Sequence, residues 1–389
     1  MKKLTTLYKI IAILILITLL TGCWDKREVD TLSIAVGFGL DIADGDDQIE
    51  MTAQMVKPSN ISMPEKSSPQ ETCEAFWNAS TVGEDTDKTI RLFNNKMSRD
   101  LYIADSQVIV IGQDLATRGI YQYLDYFLRD HESRLDVFLT VCEGKAKDIM
   151  SIKPQTESIP AMNIYDVLEN GHLDMTSVST RLIDFASALL SETTAPALPV
   201  IKVQSLGTQN AVVCDGTAVF QKDKLIGFLS EEDTKAYMWI KNQVSSGVVY
   251  VQMPAGKADY EIVNSKTKVG IHCDKSGKIT VKVNITGNGI LSSQIGTEDF
   301  SQPPAVIKIE KAVNENIKNS ILESVQKTQQ MHADIFGFGD LLNQKFPNVY
   351  DKLKSDWSSA YQKITLDISV NMKTRGSGRM MKPALTKKE

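Results

Sequence analysis

The chain has 389 residues, too many for one ordinary hydrophobic core, so two or three domains are expected. Hydrophobic residues at 42% and charged residues at 23% are those of a globular protein. A formal net charge of −5 argues against a nucleic-acid binder, which needs a basic face.

Residues 1–9 carry Lys2, Lys3 and Lys9 and no acid. Residues 10–20 are an unbroken run of Ile, Leu, Ala and Thr, followed by Thr21-Gly22-Cys23. A positive start, a short apolar run and small residues before a cut make a secretory signal over 1–22. The run is too short for a comfortable membrane span, which takes about 20 apolar residues. Leu20-Thr21-Gly22-Cys23 is similar to a bacterial lipobox, in which a thiol takes a diacylglycerol before the chain is cut. Cys23 is therefore the expected lipid attachment residue, S-diacylglyceryl and N-palmitoyl. One acyl chain holds only marginally, and more than one holds a protein to the bilayer. The folded remainder would then lie outside the cytoplasm, with a charge near −8 once the three signal lysines are gone.

Leu32, Ile34, Val36, Phe38 and Leu40 alternate with small or polar residues, and Ile49, Met51, Ala53 and Met55 do so again beyond an acidic turn. That period predicts a hairpin of two half-buried strands. Residues 58–69, rich in Ser and Pro, read as an exposed loop. A buried strand is expected at 106–112, then a helix capped by Asp114 running through Tyr121, Leu124 and Leu128, then a strand at 135–141. Strand, helix and strand with short links form a βαβ-like unit. Helices are expected at 163–170 and 179–190, and Pro196 and Pro199 place a boundary near 200.

Residues 211–220 and 225–228 predict a second hairpin, and Glu231, Glu232 and Asp233 open a helix reaching 241. Strands are expected at 248–253, 259–264, 269–273 and 278–285. Residues 303–330 make the best helix: Val306, Val313, Ile317, Ile321 and Val325 fall at helical spacing, and Pro303 and Pro304 suit its first turn. Its stripe should pack on its own sheet. A last strand is expected at 364–372, then a basic, disordered tail. The fold class expected is mixed α/β (α+β) with three small domains, each a sheet covered by helices. Their bounds are 24–200, 201–265 and 266–373, with the tail at 374–389.

The chemistry-bearing residues are scattered. His131, His172, His272 and His332 form no metal-ligand spacing, and His131 between Asp130 and Glu132 reads as a solvated loop. Cys73, Cys142, Cys214 and Cys273 contain no C-x-x-C pair and read as small buried hydrophobes, with disulfides left open. Gly37-Phe38-Gly39 and Gly337-Phe338-Gly339 lack the third glycine or the lysine of a phosphate loop, and read as tight turns with Phe inward. No catalytic, cofactor or metal site is expected.

Gly22-Cys23-Trp24-Asp25-Lys26-Arg27-Glu28, then Leu32 and Gly37-Phe38-Gly39-Leu40-Asp41, resemble the start of the Ger(x)C family, the lipoprotein C subunits of spore germinant receptors. The resemblance continues through I-G-x-D-L-A-x-x-G-I and L-D-Y-F-L-R-D-x-E-x-R at 111–134 and G-T-A-V-F-x-x-D-K-L-x-G at 216–227. It extends to Asp334, Phe336-Gly337-Phe338-Gly339, Pro347 and Trp357. It implies a subunit on the outer face of the inner spore membrane, partnered by an A subunit with soluble and membrane parts and a transporter-like B subunit. It also implies a role in receptor assembly or signalling, with only Cys23 carried over as a functional residue. The alternative is an extracytoplasmic solute-binding lipoprotein of a transporter. A secreted hydrolase is a third reading, and it lacks a nucleophile motif.

Overall fold

The computed structural model describes residues 4–9, 11, 28–45, 48–61, 74–296 and 299–376. In chain order the elements of the first half are β1 (Leu32–Ile42), β2 (Ile49–Val56), β3 (Phe76–Gly83), α1 (Thr86–Lys96), β4 (Asp100–Tyr102), β5 (Val108–Gly112), α2 (Gln113–Arg118) and α3 (Tyr121–Arg129). They continue with β6 (Phe138–Cys142), α4 (Ala146–Ile149), α5 (Pro160–Leu173), α6 (Leu182–Leu190), β7 (Ala197–Leu206), β8 (Gln209–Gln221) and β9 (Lys224–Leu229). The second half holds α7 (Glu231–Ile240), β10 (Val248–Met253), β11 (Gly256–Cys273), β12 (Ile279–Gly296) and α8 (Pro303–Gln330). It closes with α9 (Phe338–Lys345), α10 (Pro347–Leu353), α11 (Trp357–Tyr361) and β13 (Thr365–Gly376).

The first nine strands form one sheet in the order β3-β2-β1-β5-β6-β7-β8-β9, with β4 beside the start of β1. Its centre, β1-β5-β6-β7, is parallel, and antiparallel hairpins extend it on both sides. Helices cover both faces. Ile109, Ile111, Leu139 and Val141 pack on one side with Leu124 and Phe127 of α3 and Phe185 of α6. Val108, Val110 and Phe138 pack on the other with Ile149 of α4 and Ile164 and Leu168 of α5. A parallel sheet needs this double cover, which is why β5 and β6 are apolar at almost every position.

The second sheet, β10-β11-β12-β13, is antiparallel except for its last pair. One face packs on α8, whose Ile309, Val313, Ile317, Ile321 and Val325 are buried against Val281, Val283, Ile285 and Tyr260. Each such side chain contributes roughly 1.5–3 kcal/mol on burial. The other face carries exposed Lys266, Lys268, Lys282, Asn284 and Ser369. Helix α7 touches both sheets: Ala236 through Ile240 share one core with Val219 and Leu229 of the first and Tyr260 of the second.

The mixed α/β class and the long helix 303–330 agree with expectation, while several boundaries move. The expected middle unit 201–265 has no sheet of its own. Its β7 pairs with β6 and its β8 and β9 follow in the first sheet, whereas β10 and β11 belong to the second. The boundary placed at 265 falls inside β11, which runs unbroken from Gly256 to Cys273 because β12 pairs along its full length. Two sheets therefore replace three. Residues 374–376, assigned to the tail, complete β13 by pairing with β12. Asp114 lies within α2 rather than capping α3; Gly119, at φ 120°, ends α2, and Asp223 fills the space where a Cβ would stand. Phe38 points inward as expected, but Gly37-Phe38-Gly39 lies in mid-strand, not in a turn. A Cβ on Gly37 would come 2.7 Å from Ala161 Cβ of α5, so the glycine lets helix and strand approach.

Candidate functional site

The region best built for a role is the joint between the two sheets. Helix α8 ends at Gln330, and the chain turns through Met331 and His332, the latter at φ 60°. Asp334 follows, 2% exposed. Its Oδ1 accepts the Gly337 N–H at 2.9 Å and the Phe338 N–H at 3.1 Å. Its Oδ2 accepts the Gly339 N–H at 2.8 Å and Trp357 Nε1–H at 3.0 Å. Gly337 makes this loop possible: it sits at φ 77°, the left-handed region that favours glycine, and starts α9.

The same segment grips the first sheet. The Ala195 N–H donates to the Asp334 carbonyl at 2.9 Å. On the first turn of α9, the Asp340 carboxylate accepts hydroxyls from the loop leaving α6: Ser191 at 2.9 Å, Thr194 at 2.6 Å and, more weakly, Thr193 at 3.4 Å. Two aspartates thus stitch residues 191–195 to residues 334–340. From a third side, Lys241 at the end of α7 sends Nζ to the Phe336 carbonyl at 3.5 Å.

Burial dominates the electrostatics here. It pushes the Asp334 carboxyl up to about 6, against the four hydrogen bonds that pull it down. It lowers Lys241, which Asp334, Asp340 and Asp184 partly restore. It also raises the Tyr361 phenol well above its usual range, with the Asp334 charge adding to the shift and a 2.6 Å hydrogen bond to Thr328 opposing it.

Over this joint lies a groove of about 730 Å³, within the usual range for a binding site. Leu128, Leu189 and Leu190 form an apolar wall, Leu190 being 87% exposed. The facing wall is polar, with Lys222, Asp223, His332, Lys354 and Ser358. Lys222 and His332 are two of the four non-glycine residues at positive φ among the described residues. His332 is fixed by Ser358 Oγ and Gln362, both at 3.1 Å. Lys354 bridges Glu192 at 3.2 Å and Asp351 at 3.3 Å.

A ligand of an open parallel sheet usually sits at the carboxyl ends of its strands. In this chain a side chain of the protein fills that place. Asp41, at the end of β1, accepts the Ala146 N–H at 2.7 Å and the Lys147 N–H at 2.9 Å, capping α4. Burial raises its carboxyl above the ordinary value despite those bonds. Nearby, buried Gln54 accepts the Ala161 N–H at 2.7 Å at the start of α5 and donates to the Met150 carbonyl and Asn78 Oδ1, each at 2.8 Å.

Of the residues singled out in the sequence, Cys23, Cys73 and the tail from 377 lie outside the described residues, as does most of the 58–69 loop; 58–61 make one helical turn. Cys142, Cys214 and Cys273 are free thiols. Burial raises Cys142 well above the usual range and Cys214 to about 11. His131 and His272 are exposed, His172 is half-buried on α5, and only His332 reaches the groove. Among the described residues no three His, Cys, Asp or Glu side chains converge as metal ligands. Asp334, Phe336 to Gly339 and Trp357, matched in the sequence and read as structural, meet at the joint. Asp340 and the 191–194 hydroxyls were missed; the dense Ser191, Thr193, Thr194 cluster before Pro196 was the one available signal.

Comparison with known proteins covers the whole of this architecture. Residues 25–203 match the family described as spore germination protein N-terminal domain, and residues 215–378 match spore germination B3/GerAC like, C-terminal. The putative spore germination protein YfkR of Bacillus subtilis (strain 168) is 27% identical over 378 residues, covering 95% of each chain. Spore germination protein KC of the same organism is 26% identical, covering 96% of this chain and 97% of that one. The crystal structure of the GerBC protein superposes with a TM-score of 0.57 at 18% identity, over 90% of this chain and 100% of that one, and shows the shared fold. With the two family matches together covering most of the chain in order and these relatives covering 95% and 96% of it, the chain belongs to the Ger(x)C family of spore germination proteins.

Proposed function

We propose that this protein is the lipoprotein C subunit of a nutrient germinant receptor, held by lipid on Cys23 to the outer face of the inner spore membrane. It serves receptor assembly or signalling alongside A and B membrane subunits and carries no catalytic step of its own. The observation that carries this reading is the end-to-end match to germination proteins, including those named B3 and A3. The lipobox ending at Cys23 supports the anchor. The solute-binder alternative would want a second doubly wound lobe, and the second sheet, three of its four strands antiparallel neighbours in sequence, is not one.

Two strains of the spore former test it. Deletion should abolish or slow germination with at least one nutrient while leaving nutrient-independent germination intact. Cys23→Ala should move the protein out of the membrane fraction and reproduce the deletion. Normal nutrient germination in the deletion strain, with related receptors also removed, would refute the receptor role. Retention of the Cys23→Ala protein in the membrane would refute the lipid anchor.

A further inference from the structure

Helix α6 is apolar nearly all round: seven of its nine residues are Leu, Ile, Phe or Ala. Leu182 and Phe185 face the core, while Ile183 and Leu190 are 43% and 87% exposed. Seven residues apart, those two share one outer stripe. The two polar residues of α6 are turned back on its own backbone. Asp184 accepts the N–H of the capping Arg181 at 3.0 Å, and the Ser187 hydroxyl donates to the Ile183 carbonyl at 2.7 Å. Leu135, 38% exposed, extends the stripe, since its carbonyl accepts the Ile183 N–H at 3.0 Å. Helices α1 and α3 cover the same face of the sheet and present ion pairs to solvent instead, Arg91 with Asp87 and Arg129 with Asp125. A helix face left apolar among such neighbours marks a contact surface.

We propose that this stripe rests on the lipid bilayer, with Leu190 and Ile183 entering the headgroup region. The inference rests on the lipid anchor at Cys23 and adds to it the face that the folded chain turns to the membrane. Where the chain enters the fold favours lipid as the occupant. Five residue steps separate Cys23 from Glu28, so the anchor lies at most about 18 Å from it. From there the chain passes into β1, whose Leu32 to Ile34 pair with β4. Asp105, just beyond β4, meets Arg134 at 3.4 Å, and Leu135 is the next residue. The anchor and the stripe therefore belong to the same end of the first sheet.

Lengths agree with this. Gly37 of β1 stands level with Val108 and Phe138, so β1 projects past the base of β6 by the five steps from Leu32 to Gly37, about 17 Å. The tether is as long as that projection, so the domain can lie over until α6 meets the surface. One outer stripe of a nine-residue helix, about 14 Å long, is small beside the roughly 800 Å² that a stable protein partner covers on each side. Against a bilayer it need not hold alone, because the anchor keeps the surface at high local concentration.

Photo-crosslinking of the full-length lipidated chain reads the docked face, with p-benzoylphenylalanine in place of Ile183, Leu190 or Leu206, one at a time. Leu206, 53% exposed at the opposite end of β7, is the control. In vesicles of phosphatidylethanolamine and phosphatidylglycerol, lipid adducts should form at 183 and 190 and be largely lost at 206. Leu190→Asp, a change at an exposed position, should remove most of the adducts at 183. Adducts no more frequent at 183 and 190 than at 206, or undiminished at 183 by Leu190→Asp, would overturn the proposal. So would protein adducts in place of lipid at 190 in spore membranes holding the whole receptor, which would give the stripe to a partner subunit. The mass of the amino-terminal peptide reads the anchor separately. A Cys23 without lipid refutes the anchor and this proposal together, whereas lipid on Cys23 with adducts that ignore the stripe refutes the docked face alone.

Discussion

Gly339→Ala tests whether the joint is as tightly fitted as its hydrogen bonds imply. Gly339 is on the first turn of α9. A methyl there would overlap Thr193 Oγ1 and Cβ and come within 2.9 Å of Trp357 Cε2. Neither neighbour retreats freely. Trp357 is held through Nε1 to Asp334, and the Thr193 backbone donates to Ser191 Oγ at 3.2 Å. Alanine gains about 1 kcal/mol over glycine in a helix interior. Overpacking a fitted site costs about 1–3 kcal/mol, and displacing a hydrogen bond to a charged acceptor adds about 1.5–3 kcal/mol. The net loss should be about 1.5–5 kcal/mol. Urea unfolding followed by far-UV circular dichroism measures it, with Gly270→Ala as the control. Gly270 lies in β11 with nothing within 4 Å of its Cβ position, so alanine there should be neutral or stabilising by about 0.5–1 kcal/mol. Equal midpoints for the two variants would mean that the 191–195 loop gives way easily, and the reasoning about the joint would fail.

Gln54→Ala should cost about 2–4 kcal/mol, because it leaves the buried Ala161 N–H without its acceptor and takes a donor from the Met150 carbonyl; thermal unfolding checks this. Lys327→Met removes the 2.6 Å pair with Asp233 at the start of α7. Burial pushes the Asp233 carboxyl up, but the Lys327 and Ser230 hydrogen bonds outweigh it and leave the carboxyl below its ordinary value. Its contribution is therefore present above the usual carboxylate range and lost as pH falls through the lowered value. Since Lys327 is 42% exposed, the pair is discounted for screening to about 1 kcal/mol. The variant should trail wild type at pH 7 and match it in strong acid, as read by denaturant midpoints. A deficit of the same size at both pH values would assign the loss to packing of the lysine stem.

Several elements could be read locally because their cause is local. The 3.6-residue stripe of α8 and the prolines at its start set both its ends. Ile49, Met51 and Met55 alternate because β2 pairs with β1 next to it in sequence. The reading of three domains failed for a reason of longer range. Strand propensity in 201–265 was recognised, but which sheet each strand joins depends on partners far away in sequence: β7 takes β6, and β11 takes the whole of β12. The glycines of 37–39 and 337–339 look alike in sequence. One pair lets α4 and α5 approach mid-strand, and the other turns the chain beneath a buried carboxylate.

The sequence by itself determined the family motifs, the long helix and the acidic balance, since each is a property of neighbouring residues. Only the tertiary structure decided that Asp334 and Asp340 bind residues some 140 positions earlier in the chain, and that Asp41 caps a helix about 100 positions later. Buried polar groups choose partners by proximity in space, after the cores have closed around them, and no spacing along the chain records that choice.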